Sequence, residues 1–267
     1  MPTVLIIESN SPEIVDRARS AQKATAADFY EAALKENAPN IEVRVAEPYR
    51  KSLSRDDLLD IDGVVFTGSG VAWSTDAPEA AMLRRAGQLV FNTGLPTIGS
   101  CNGLQLAATL LGGKIGPSPK GMEIGLALDI KLTAEGRNHP MMLGRRDGYC
   151  VPCVHRDEVQ RLPDGAKLIA GNDHSPIQAL VYNANGVNFW GMQYHPELPT
   201  TAIADYVQDA QGIFSKAQNL AEDLLAAQTD PKAAYRLGSK PEDLLEKVRT
   251  TELSNWLSSC LRAQVKQ

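Results

Sequence analysis

Gly99-Ser100-Cys101-Asn102-Gly103 places a thiol among small residues, directly after the apolar run Pro96-Thr97-Ile98 and before the apolar stretch Leu104 to Leu111. A sharp strand-to-helix turn of this kind lifts a nucleophile out of a sheet, and flanking glycines avoid clashes where the chain packs tightly. The thiol then stands at a helix N-terminus, where the dipole favours thiolate, and the Asn102 N–H points toward the place where an oxyanion would form. A lone cysteine before a helix is commonly a buried structural one, but glycines on both sides after an apolar strand make that the lesser reading for Cys101. His195-Pro196-Glu197 closes the apolar run Phe189 to Tyr194. Imidazole can take a thiol proton and later protonate a departing amine, Glu197 can hold its tautomer, and Pro196 stiffens the turn between them. Gly68-Ser69-Gly70 follows the run Gly63 to Thr67. Small residues at the C-terminal end of a parallel strand let backbone N–H groups approach a ligand, although the tripeptide by itself also reads as an ordinary turn.

The surrounding pattern must hold these three segments together. Short apolar strands alternate with longer helical periods, which predicts an α/β fold. Strands are expected at Thr3 to Ile7, Ile41 to Val45, Gly63 to Thr67 and Pro96 to Gly99, with helices over 22–37, from the Asp76-Ala77-Pro78-Glu79 cap onward, and over Leu104 to Leu111. From Glu123 to Leu132 the period becomes two, putting Ile124, Leu126, Leu128, Ile130 and Leu132 on one face. Further strands near 149–154, 167–170, 177–182 and 187–194 suggest an antiparallel or mixed part beside a mainly parallel sheet. After Pro199 the chain becomes helical. Ile203, Tyr206, Val207, Ala210, Ile213, Phe214, Ala217, Leu220, Ala221 and Leu224 keep helical spacing across six turns, a break follows at Asp230-Pro231, and a last helix carries Leu245, Val248, Leu253, Trp256, Leu257, Cys260 and Leu261.

The 267 residues are 43% hydrophobic and 22% charged, which excludes a disordered chain and fits one large domain or two small ones. A net charge of −5 gives no basic footprint for nucleic acid and no polybasic membrane anchor. No apolar run reaches the length of a membrane span, and Met1-Pro2-Thr3 lacks the basic start of a signal peptide, so a cytoplasmic protein with reduced cysteines is expected. Cys150-Val151-Pro152-Cys153 lacks the second pair a zinc ribbon needs, and a strand there would point the two thiols to opposite faces. No metal or cofactor is expected. His139 and His174 read as loop or surface histidines, and His155 lacks the Pro-Glu that follows His195.

Together, Gly99-Ser100-Cys101-Asn102-Gly103-Leu104-Gln105 and Gln193-Tyr194-His195-Pro196-Glu197 resemble class I (triad-type) glutamine amidotransferases. His155-Arg156-Asp157-Glu158-Val159, with Leu162-Pro163-Asp164-Gly165, is similar to the corresponding stretch of glutaminase domains of the GMP-synthase type, and the segments come in that family's order over roughly residues 3 to 200. The resemblance implies a mostly parallel central sheet flanked by helices (flavodoxin-like, three-layer) with a C-terminal helical extension. Residues 1–200 would form the amidotransferase domain, and 201–267 a helical extension packed on it. It also implies that Cys101 forms a γ-glutamyl thioester, that His195 and Glu197 complete the triad, and that the N–H groups of Ser69 and Asn102 hold the oxyanion. Gly68, Gln105, Val154, His155 and Arg156 would contact the substrate. The chain departs from the family in having Gly68-Ser69-Gly70 where Gly-Gly-Pro is commoner, and in about 70 residues after His-Pro-Glu. It contains no Gly-X4-Gly-Lys-[Ser/Thr] loop, so any ammonia acceptor is expected on a separate synthetase chain. Three readings follow: a glutaminase-type amidotransferase, a hydrolase of γ-glutamyl peptides or γ-glutamyl amines using the same chemistry, and a non-catalytic binding module on the same fold.

Overall fold

The structure, a computed structural model, describes residues 2–209 and 217–264, with side chains for 2–208 and 219–259. Among the described residues the strands are β1 (Thr3–Ile7), β2 (Glu42–Ala46), β3 (Gly63–Phe66), β4 (Thr97–Ser100), β5 (Lys114–Pro117), β6 (Glu123–Leu132), β7 (Tyr149–His155), β8 (Asp157–Arg161), β9 (Lys167–Gly171), β10 (Ala179–Ala184) and β11 (Val187–Met192). The helices are α1 (Pro12–Ser20), α2 (Ala26–Asn37), α3 (Ala81–Phe91), α4 (Asn102–Leu110), α5 (Ala134–Asn138), α6 (Thr200–Asp209), α7 (Ala217–Ala226), α8 (Pro231–Arg236), α9 (Glu246–Arg249) and α10 (Thr251–Gln264). Nine strands form one sheet in the order β2-β1-β3-β4-β11-β10-β9-β6-β7, and β5 and β8 pair separately. The five strands from β2 to β11 run parallel, and the pairings from β11 through β7 are antiparallel. This is a parallel sheet with an antiparallel wing, as the change of period at Glu123 predicts.

Both faces of the inner parallel strands are covered, so β1 and β3 read as unbroken apolar runs, whereas the edge strand β2 (Glu-Val-Arg-Val-Ala) stays partly exposed. On one face Val4, Ile6, Val65, Ile98 and Trp190 pack with Tyr30, Ala33 and Leu34 of α2 and with Leu253, Trp256 and Leu257 of α10. On the other, Leu5, Ile7, Val64 and Phe66 meet Leu83 and Val90 of α3 and Leu104 and Ala108 of α4. The three-layer arrangement places the C-terminal ends of β1, β3, β4 and β11 side by side, where open α/β sheets bind ligands.

Several local expectations need correction. The helix predicted over 22–37 begins at Ala26, because Thr25 and Asp28 close a capping box there, and a separate α1 precedes it. Asp76 does not cap the next helix: Pro78–Ala80 forms a 3-10 turn and α3 starts at Ala81. The strand β6 does not keep its apolar residues on one face. Its register shifts between Ala127 and Ile130, with Asp129 at φ +49°, so Leu126 packs under the C-terminal helices while Ile130 and Leu132 join the main core. The six-turn helix is two helices, α6 and α7, packed against each other; Ala210, Ile213 and Phe214 lie outside the described residues, as do the side chains of Ala217, Cys260 and Leu261. Asp230 and Pro231 start α8 instead of merely breaking a helix: the Asp230 carboxylate accepts from the Lys232 N–H at 2.9 Å. The last helix is divided at Thr250. Among the described residues no helix is long and apolar enough to cross a membrane.

Candidate active site

Cys101 sits between β4 and α4 with φ +47° and ψ −104°. Such a conformation costs a non-glycine residue about 1–3 kcal/mol and persists only where its surroundings enforce it. Here the Cys101 N–H donates to the Met192 carbonyl of β11 at 2.8 Å, and its own carbonyl accepts from Gln105 at 3.0 Å to start the helix. The turn needs glycine on both sides. A Cβ on Gly99 would stand 2.9 Å from the Gly103 carbonyl carbon, and one on Gly103 would stand 2.6 Å from the Phe66 oxygen. The thiol is therefore held at the mouth of the sheet by backbone contacts to both neighbouring strands.

His195 follows β11, its N–H donating to the Pro152 carbonyl at 2.8 Å. Its Nδ1 donates to Glu197 Oε1 at 2.7 Å, and Ser100 Oγ donates to the same oxygen at 3.2 Å. Both members of the pair are buried. Burial opposes the imidazolium, but the Glu197 charge, the Cys101 sulfur and the hydrogen bond to Glu197 outweigh it and raise the His195 pKa to about 10. His195 Nε2 has no hydrogen-bond partner of normal geometry and Glu197 Oε2 has none either. The ring thus has one nitrogen committed to an orienting carboxylate and the other open, with the Cys101 thiol acting on it. Gly68 makes room for this ring: a Cβ there would lie 2.5 Å from His195 Cε1.

The loop after β3 is fixed from β1. Asn10 Oδ1 accepts from the Gly70 N–H at 2.8 Å and from Ser69 Oγ at 3.1 Å. Asn10 is itself held by buried Glu8, whose Oε1 accepts from its N–H at 3.0 Å and its Nδ2 at 2.9 Å, while Oε2 accepts from the Ala27 N–H at the start of α2 at 2.9 Å. Because Asn10 occupies the Gly70 N–H, the Ser69 N–H is the loop's candidate oxyanion donor, opposite Asn102 at the start of α4.

All ten residues singled out from the sequence line one cavity of about 310 Å³: Gly68, Ser69, Cys101, Asn102, Gln105, Val154, His155, Arg156, His195 and Glu197. Their situations differ. Gln105 Nε2 donates to the Asp157 carbonyl at 2.6 Å, and Cys101 Sγ lies 3.7 Å from the Val154 carbonyl. Arg156 makes a two-pronged pair with Asp157, at 2.8 and 2.9 Å, and donates to the Ala72 carbonyl at 2.8 Å, so it straps the glycine loop to the β7–β8 turn. His155 is fully engaged, Nε2 with Glu123 at 2.8 Å and Nδ1 with the Asp157 carbonyl at 3.1 Å. Asn10, Trp73, Met122 and Tyr206 also line the cavity and were not foreseen. The one available signal was the polar run Glu8-Ser9-Asn10 at the end of the first apolar strand.

Cys150 and Cys153 both lie on β7 and are buried. Cys150 Sγ faces the Gly238 carbonyl at 3.9 Å, whereas Cys153 Sγ donates to Glu123 Oε2 at 3.5 Å. Burial, with Glu123 and Cys101 nearby, pushes the Cys153 thiol well above its usual range, and burial also raises Cys150. Glu123, Cys153 and His155 bring donor atoms within 4.8 Å of one another. Glu123 also accepts from Asn172 at 2.8 Å and Gln178 at 2.7 Å, so the three side chains are joined in a hydrogen-bond network that already engages Glu123 and both His155 nitrogens. His139 packs edge-on against Trp190 at 5.1 Å and His174 lies in the loop between β9 and β10, near His155.

An open α/β sheet that presents a cysteine elbow beside a His–Glu pair and a glycine loop defines a cysteine-centred amidotransferase architecture. The family model described as glutamine amidotransferase class-I matches residues 14–210, and the chain belongs to that family. It is 36% identical over 165 residues to a gamma-glutamyl-L-1-hydroxyisopropylamide hydrolase from a Pseudomonas species, covering 61% of this chain and 54% of that protein. It is 38% identical over 125 residues to a glutamine-hydrolysing GMP synthase from Azoarcus sp. strain BH72, covering 44% of this chain and 23% of the synthase. The match thus spans about half the length of the first relative and about a quarter of the second. A solved glutamine amidotransferase from Thermotoga maritima superposes with a TM-score of 0.63 at 22% identity, covering 100% of this chain and 99% of that one, which shows the same fold.

Proposed function

We propose that the chain hydrolyses the side-chain amide of glutamine through a Cys101 thioester. The observation that carries this reading is the strained Cys101 elbow sharing one cavity with a His195 ring that has Nδ1 bound to Glu197 and Nε2 open. In this reading the Cys101 sulfur attacks the amide carbon as its proton is held by His195. The Ser69 and Asn102 N–H groups receive the oxyanion, each such donor being worth about 2.7–4 kcal/mol in other enzymes. His195 passes its proton to the departing nitrogen, so the C–N bond breaks, ammonia leaves and a γ-glutamyl thioester remains. It then takes a proton from water, which attacks the thioester, and returns it to sulfur as glutamate departs. Gln105, Val154, His155, Arg156 and Gly68 shape the glutamine site. A separate synthetase chain would accept the ammonia.

A second reading is favoured by the Pseudomonas relative, whose name specifies an N-substituted γ-glutamyl amide. The same steps would then release an amine, with no acceptor protein required. The two readings are separated by measuring glutamate release from glutamine and from a γ-glutamyl alkylamide with wild type and Cys101→Ala. A strong preference for glutamine supports the first, a strong preference for the alkylamide supports the second, and activity surviving in Cys101→Ala rejects both.

A further inference from the structure

His195 is gripped on both sides by residues that lie beyond 14–210, the segment the family model matches. On the preceding side, the Tyr194 hydroxyl donates to Glu252 Oε1 of α10 at 2.8 Å and meets the Tyr149 hydroxyl at 2.9 Å. Glu252 is fully buried and holds Arg145 by two hydrogen bonds, each 2.8 Å, while Arg145 also donates to the Arg249 carbonyl at 2.9 Å and covers the Tyr149 ring at 4.6 Å. On the following side, the Arg249 side chain of α9, 3% exposed, donates from Nη1 to the Pro196 carbonyl. Its Nη2 lies 3.6 Å from Glu246, and it also feels the Glu197 charge. Arg249 and Glu197 line a second cavity of about 810 Å³ behind the triad, between α2 and the C-terminal helices.

A buried arginine is costly to desolvate unless its hydrogen bonds have fixed partners. For Arg249 the partners are the Pro196 carbonyl, between the base and its orienting carboxylate, and Glu246 one turn earlier; for Arg145 they are Glu252 of α10, which grips the residue before the base, and the Arg249 carbonyl. We infer that Arg249 and Glu252 are positioning residues for the triad, so that α9 and α10 complete the active site by clamping Tyr194 and Pro196 on either side of His195. This rests on the pairing of Cys101 with His195 proposed above, but not on the identity of the substrate. Losing the clamp frees the His-Pro-Glu turn to rotate, and misplacement of about 1 Å costs on the order of a hundredfold in reaction rate.

The experiment is the pH profile of Cys101 alkylation by iodoacetamide, mapped to that residue by mass spectrometry, in wild type, His195→Ala, Arg249→Met, Arg249→Lys and Tyr194→Phe. A thiol paired with imidazolium reacts well below the ordinary thiol range, and an unpaired thiol reacts only as pH approaches about 8.5. Arg249→Met is expected to slow alkylation at pH 7 about tenfold and to move the profile toward that of His195→Ala, with Arg249→Lys recovering most of the loss. Tyr194→Phe deletes a single hydroxyl; it is expected to move the profile the same way to a smaller extent, and it stands as the probe should Arg249→Met fail to fold. A wild-type profile in folded Arg249→Met, or in Tyr194→Phe where that is the probe, overturns the clamp. So does an Arg249→Lys that recovers nothing. If wild type and His195→Ala already coincide, the Cys–His pairing fails instead, and the clamp falls with it.

Discussion

Two histidines in one cavity each pair with a glutamate, His195 with Glu197 at 2.7 Å and His155 with Glu123 at 2.8 Å, and both pairs are buried. Distance and burial do not separate them. What separates them is the second nitrogen. His155 Nδ1 is taken by the Asp157 carbonyl, and Glu123 takes Asn172, Gln178 and Cys153 as well. His195 Nε2 and Glu197 Oε2 have no such partners. Buried polar groups are normally satisfied, and what distinguishes this unsatisfied pair from other unpartnered atoms is its place in the same cavity as the Cys101 elbow. The closed pair belongs to the antiparallel wing and ties β6 and β7 to the loop between β9 and β10; the open pair follows the last parallel strand beside Cys101.

The largest expected effects break this comparison outright. Cys101→Ala and His195→Ala should each lower kcat by about 10⁴–10⁶-fold, whereas His155→Asn should stay within about tenfold, all measured as glutamate release under saturating substrate. A comparable loss in His155→Asn would mean that the open and closed pairs are not distinct in kind. Glu197→Gln should cost about 10²–10⁴-fold by misdirecting the imidazole tautomer. The matching Glu123→Gln, in the closed pair, should leave kcat nearly unchanged and lower stability by about 1–3 kcal/mol in urea unfolding, because His155 and Cys153 lose a charged acceptor.

Gly68→Ala sharpens the contrast with a steric probe. The added methyl would meet His195 Cε1 at 2.5 Å, so the ring must shift, and a loss of about a hundredfold in kcat with a near-native thermal midpoint is expected. A Gly68→Ala enzyme with full activity would show that the ring has more freedom than its surroundings suggest. The smallest effect is on pH dependence. His195 is raised in the folded state from 6.5 to about 10, so its contribution to stability is fully present below about pH 6.5 and is lost as pH rises through about 10. The difference in melting temperature between wild type and His195→Asn should therefore shrink across that window. A difference that grows with pH would contradict the assigned charge state.

Legibility in the sequence follows the same division. The elbow, the His-Pro-Glu turn and the glycine loop were readable because each is a run of consecutive residues whose spacing is itself the geometry. The inner parallel strands were readable because burial on both faces leaves unbroken apolar runs such as Val4 to Ile7. The helix α1 was missed because it buries Val15 alone and shows no apolar stripe. The strand β5 was missed because Gly116 and Pro117 read as breakers. Asp129 bends β6 through a positive φ that alternation does not announce. Asn10 and Arg249 could not be found at all from spacing: their partners lie 60 and 53 residues away, and only the folded chain brings Asn10 to Gly70 or Arg249 to Pro196.

The central claim is that Cys101 is the nucleophile and that His195 activates it. The most direct measurement is peptide mapping by mass spectrometry after reaction with a diazo-ketone analogue of glutamine, run side by side on wild type and His195→Ala. One adduct per chain, on Cys101, forming fast in wild type and at least a hundredfold more slowly in His195→Ala, is the predicted result. An adduct on any of the other three cysteines, or equal rates in the two proteins, would contradict the account.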